Sequence, residues 1–124
     1  MKVKIDGLAE AIDLELQGYS EEIKTEILPA FTKIGAKCVK KLKETSPKRI
    51  GGYSKSWTKK VTSSDSSVAV SVYNRKFAGL THLLENGHAK ANGGRVEGIP
   101  HIGPVQDFAD EASLDAITKI LEGR

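Results

Sequence analysis

The sequence predicts an α+β fold: a long N-terminal amphipathic helix and a C-terminal helix packed on a small antiparallel β-sheet built around a hairpin. Three observations carry that expectation. Apolar residues recur at steps of three and four across residues 23–42, and again across residues 105–120. Between those stripes, Trp57, Lys59 and Val61, then Val68, Val70 and Val72, stand at every second position around the polar run Ser63-Ser64-Asp65-Ser66-Ser67. Two period-two runs about a short polar turn predict a hairpin with one buried face. At 124 residues the chain holds one domain, 1–124, with room for one modest core.

In chain order, Leu8, Ile12 and Leu16 are spaced for a short helix ending near Gly18, so residues 1–19 are expected to form a separate helix or a flexible arm. Ser20 is placed to cap the next helix, and Glu21 and Glu22 suit the positive end of its dipole. The stripe is Ile23, Ile27, Ala30, Phe31, Ile34, Cys38 and Leu42. Pro29 interrupts it and should kink the helix or break its first turns. Thr45-Ser46-Pro47 ends it, and Gly51-Gly52 makes residues 46–55 a mobile loop in this reading. After the hairpin, Phe77, Leu80, Leu83 and Leu84 predict a short helix anchored by the last two leucines and ended by Asn86-Gly87. Residues 89–98, rich in glycine and charge, are expected to be mobile, and residues 99–102 to form a short strand. The last helix should begin at Pro104, with Asp107, Asp110 and Glu111 in its N-terminal half.

Composition bounds function. With 39% hydrophobic and 28% charged residues, the chain matches ordinary soluble globular proteins. No apolar run approaches the ~20 residues of a membrane span and no signal-peptide core opens it, so a cytoplasmic protein is expected. The lone Cys38 permits no internal disulfide, and its place in the helical stripe argues for packing. The net charge of +3 conceals an asymmetry: residues 1–30 carry seven acids against three lysines, and residues 33–60 carry ten basic side chains against Glu44 alone. Such a chain suits head-to-tail contacts between copies, or a surface facing a polyanion. Lys37, Lys40, Lys41, Lys43, Lys59 and Lys60 are the candidate DNA- or partner-facing cations, with Tyr53 and Trp57 interleaved. Trp57 is expected half-buried on the sheet rather than as a base-stacking platform.

Catalytic constellations are weak. His82, Glu85, His88 and His101 could compose a zinc site, since three imidazoles and a carboxylate satisfy that ion. The His-Glu-x-x-His spacing is missing, because Leu84 precedes Glu85. There is no Gly-x-Ser-x-Gly elbow, no histidine near Cys38 in sequence, and no phosphate-binding glycine loop. The expectation is a non-enzyme without cofactor or metal, its histidines packing or hydrogen-bonding in loops or at a subunit contact.

Three stretches in order carry a resemblance. The lysine-rich helix runs into Ser46-Pro47 and the turn Ile50-Gly51-Gly52-Tyr53. A valine-alternating strand leads to Glu85-Asn86-Gly87. Pro100 and Pro104 bracket the start of the last helix. From about residue 20 to residue 120 the chain resembles the small tail-component proteins of long-tailed bacteriophages and prophages: the tail-completion, neck and head–tail joining proteins. It departs from their pattern where Ile50-Gly51-Gly52-Tyr53 replaces a Thr-Gly-x-Leu turn. The resemblance implies a virion part, assembled in the host cytoplasm, that oligomerises as a ring at the head–tail junction. It would meet a connector, tail terminator or tail-tube protein there, with non-specific contact to transiting DNA. Acidic residues 1–30 and basic residues 33–60 are candidate partners across such a ring. Lys48, Arg49, Gly51, Gly52, Tyr53, His88, Asn92, Arg95 and His101 are the candidate assembly-loop residues. Alternatives are a tail terminator or head–tail connector, a small non-specific nucleic-acid-binding protein and, last, a metal-dependent hydrolase.

Overall fold

The computed structural model describes residues 11–123. Its order is β1 (Ile12–Gln17), α1 (Glu21–Thr45), β2 (Trp57–Ser64), β3 (Ser67–Asn74), α2 (Thr81–Asn86), β4 (Gly87–Ala89), β5 (Arg95–Glu97) and α3 (Ile102–Glu122), with a 3-10 turn at Ala78–Leu80 leading into α2. This is the α+β arrangement expected, with both long helices and the hairpin in place. The predicted hairpin is β2 and β3, paired antiparallel from Trp57 opposite Asn74 to Ser64 opposite Ser67.

The first correction lies upstream. Ile12 to Gln17 form a strand, not a helix, and β1 pairs antiparallel with β3, making the sheet order β1-β3-β2. Ile12 and Leu16 are four apart, which fits a helix, but Leu14 between them completes a two-residue period, and the tertiary pairing selects the strand. Leu8 and the rest of residues 1–10 lie outside the described residues. Gly18, at φ +85°, turns the chain out of β1, and its N–H donates to the Ser66 carbonyl at 2.9 Å.

α1 begins as expected: Ser20 Oγ accepts from the Ile23 N–H at 3.3 Å. It continues unbroken through Pro29. Its inner side buries Ile27, Phe31, Ile34, Cys38 and Leu42 on the sheet. Gly35 is the point of closest approach, because a Cβ there would stand 2.6 Å from Val70 Cγ1. That contact shows which sheet face the helices cover. By register it carries Ile12, Leu14 and Leu16, Val68, Val70 and Val72, and Trp57 with Lys59. The opposite face presents Asp13, Glu15, Thr58, Lys60, Ser71 and Tyr73. α1 lies over β3 and β2, and α3 packs beside it towards β1.

Three further expectations change. Residues 46–55 are tied down. Ser46, Pro47 and Tyr53 are buried, the Trp57 indole N–H donates to Ser46 Oγ at 2.8 Å, and Asn74 Nδ2 donates to the Tyr53 carbonyl at 2.8 Å. Trp57 is correspondingly buried outright, not half-buried. Residues 87–97 form the small hairpin of β4 and β5, with Gly87 opposite Glu97. Residues 99–101 form no strand; α3 starts at Ile102, two residues before Pro104. Leu84 packs against the core, whereas Leu83 is left exposed.

Candidate assembly site

The junction of α2, the small hairpin and α3 gathers Glu85, His88, Asn92, Arg95 and His101 from among the sequence-predicted residues. Its centre is the Glu85 carboxylate, at the end of α2. Oε1 accepts from the backbone N–H groups of His101 and Ile102, both at 2.7 Å, and Oε2 accepts from that of Gly103 at 2.9 Å. These are the donors that a helix start leaves without intrahelical partners. Glu85 therefore caps α3 from sixteen or more residues away, placing a negative charge at the positive end of its dipole. Burial alone would raise the Glu85 pKa. The three N–H donors and the adjacent His101 outweigh it and hold the carboxyl below its ordinary value.

His101 is the second member. Its Nδ1 lies 2.7 Å from the Ile99 carbonyl oxygen and 3.0 Å from Glu85 Oε1, two acceptors that require a proton on Nδ1. In the neutral ring Nε2 then accepts from the Tyr53 hydroxyl at 2.7 Å. Tyr53 is wholly buried, edge-on to Trp57, Phe77 and His101. Burial, and secondarily the Glu85 charge, push its hydroxyl far above the usual phenol range. The chain Tyr53, His101, Glu85 thus links the loop after α1 to the start of α3.

Two glycines close the junction. A Cβ at Gly87, where φ is +78°, would meet the Val96 carbonyl oxygen at 2.3 Å; one at Gly98 would meet the Glu85 carbonyl oxygen at 2.4 Å. The strands meet backbone to backbone, and the Ile99 N–H donates to the Leu84 carbonyl at 2.8 Å. This brings His101 back against Glu85.

The predicted site residues separate into two groups. Tyr53 and His101, expected in assembly loops, are core residues, because their polar atoms satisfy each other inside the fold. Lys48, Arg49, Gly51, Gly52, His88, Asn92 and Arg95 are exposed. Lys48 Nζ donates to the Lys43 carbonyl at 2.7 Å, and Arg95 donates to the Asn86 carbonyl. The four-residue zinc constellation does not converge: Glu85 and His101 meet, while His82 and His88 are exposed. Among the described residues no group of three or more His, Cys, Asp or Glu side chains could hold a metal ion.

The candidate cations do not make one patch either. Lys37, Lys40, Lys41 and Lys43 are exposed on α1, and Lys41 Nζ sits 4.6 Å from the centre of the Phe108 ring of α3. Lys59 and Lys60 point to opposite faces of the sheet. No motif in the sequence marks Gly35 or Asn74, and Ser46 reads there as a helix stop rather than as the acceptor for Trp57.

Residues 10–87, more than half of the 124, match the family model described as "Bacteriophage HK97-gp10, putative tail-component". The match spans β1, α1, β2, β3 and α2. No curated protein matches the chain, and no solved structure does.

Proposed function

We propose that this chain, which belongs to the HK97-gp10-like family of bacteriophage tail components, is the tail-completion or neck protein of a tailed phage or prophage, forming a ring at the head–tail junction. The observation that carries the reading is the extent of the family match, which takes in every strand of the main sheet and the helix covering it. The chemistry of the site supports it. The cluster that looked most like an acid/base centre, Glu85 with His101 and Tyr53, has its polar atoms committed to capping α3 and joining buried elements. A part that builds structure rather than turning over substrate needs no more. Its partners in this reading are further copies of itself and a connector, tail-terminator or tail-tube protein, with the basic face of α1 tolerant of passing DNA.

The test is removal of the gene from its phage or prophage, followed by electron microscopy of the lysate. Heads and tails that form but stay unjoined are the expected result. Normal infectious particles without the chain would overturn the proposal.

A further inference from the structure

Among the described residues, two apolar surfaces are left uncovered at opposite sides of the helical layer, and their charges are complementary. The first is the outer face of α3. Leu114 is 68% exposed and Leu121 39%, seven residues apart and so on one helical stripe directed away from the core. Phe108, Ala112 and Leu114 line a shallow groove there with Glu111, Asp115 and Thr118. Its margin is mainly acidic, with Lys41 over the Phe108 ring as the cation at that end. Glu111 and Asp115 border it, Asp107 and Asp110 stand one turn earlier, and the i,i+4 pair of Asp115 with Lys119 at 3.1 Å is solvent-exposed and weak.

The second surface lies on the other side of α1, where α1 meets β2. Leu28, Pro29 and Ala36 form its floor, with Thr25 and Thr32, and its cations are Lys33 and Lys59. Because α3 packs towards β1 and this groove opens towards β2, the two surfaces lie beyond opposite edges of the β1-β3-β2 order. One copy cannot bring them together.

We propose that the outer face of α3 of one copy docks into the α1/β2 groove of the next copy, with Leu114 on Leu28 and Ala36 and with Glu111 and Asp115 facing Lys33 and Lys59. Unlike surfaces joined this way make a heterologous contact, which repeats head to tail and forms a ring when the rotation closes. The charges set the register and suppress the like-with-like contacts, groove on groove or α3 on α3. The pairing differs from the one the charge asymmetry of the sequence implied, since its acids come from α3 rather than residues 1–30. It rests on the reading of the chain as a self-assembling tail part and names the surfaces that assembly uses.

Two exposed substitutions test it, Leu114→Lys on α3 and Ala36→Glu in the groove, with circular dichroism to confirm folding. Assembly is read by native mass spectrometry in solution and by incorporation into purified tails. The wild type should oligomerise or incorporate, and each variant alone should lose both. An equimolar mixture of the two should recover paired chains, because the intact groove of L114K accepts the intact α3 of A36E. The charge reversals Lys33→Glu and Glu111→Lys, each weakening alone and restored together, form a second arm that leaves the apolar surfaces untouched. If single variants assemble like the wild type, or the mixture recovers nothing, the surfaces belong to another occupant, such as residues 1–10 or another tail protein, and the inference fails alone. If the wild type neither oligomerises nor enters tails, the ring reading fails with it.

Discussion

A carboxylate that accepts three backbone N–H groups is sensitive both to its loss and to its protonation, and Glu85 is in that position. Glu85→Ala should destabilise the fold by about 1–2 kcal/mol, as loss of a helix cap does, measured by urea unfolding at neutral pH. The sign of the pH effect follows from the lowered pKa. A carboxyl depressed in the folded state contributes stability above its unfolded value, near 4.5, and that contribution disappears as pH falls through the folded value. The wild type should therefore lose more stability than Glu85→Gln on acidification below about 4.5, in melts run side by side. Parallel curves for the two proteins would reject the role. This residue shows what local pattern can and cannot reveal. Glu85 drew notice as a metal-ligand candidate because it neighbours histidines, and its partners at residues 101–103 are sixteen or more positions away. Capping rules look three residues ahead, so nothing local pointed to α3.

Elements with a strong internal period were the readable ones. α1 carries its apolar stripe, its Ser20 cap and its Ser46-Pro47 stop within one continuous stretch, and the β2/β3 hairpin carries its own turn. β1 was misread because Ile12 and Leu16 satisfy both periods, and only pairing with β3 decides between them. Residues 89–98 read as mobile because glycine signals freedom in sequence, whereas in the fold Gly87 and Gly98 allow two backbones to touch. Gly98→Ala should accordingly cost about 1–3 kcal/mol, the range for overpacking, whereas Gly93→Ala at the hairpin tip lacks that clash and carries only the penalty of its positive φ. Equal melting temperatures for Gly98→Ala and the wild type would contradict the close approach. On α1, burial pushes the Cys38 thiol up to about 11 despite the pull of Lys41. Thiol-specific labelling at neutral pH should then proceed only at the rate of unfolding, and fast labelling of the native protein would place that helix face elsewhere.

At the scale of the molecule, the described residues form a three-stranded sheet with α1 and α3 side by side on one face and mainly polar residues, with the buried Ala69, on the other. The family match covers the sheet and α1, while α3 lies beyond it. The matched and the unmatched parts of the chain meet at the Glu85 cap, the contact by which α2 holds the start of α3. Function was legible only as a resemblance of ordered motifs. In the proposed docking no single side chain encodes assembly, because its two surfaces come from α1, β2 and α3 together. The most direct test of the central claim is electron microscopy of intact particles carrying a small labelled insertion at Gly93, the exposed tip of the β4/β5 hairpin. A single ring of label at the head-proximal end of the tail is the result expected. Label along the whole tube, at the far end of the tail, or only on free protein in the lysate would contradict it.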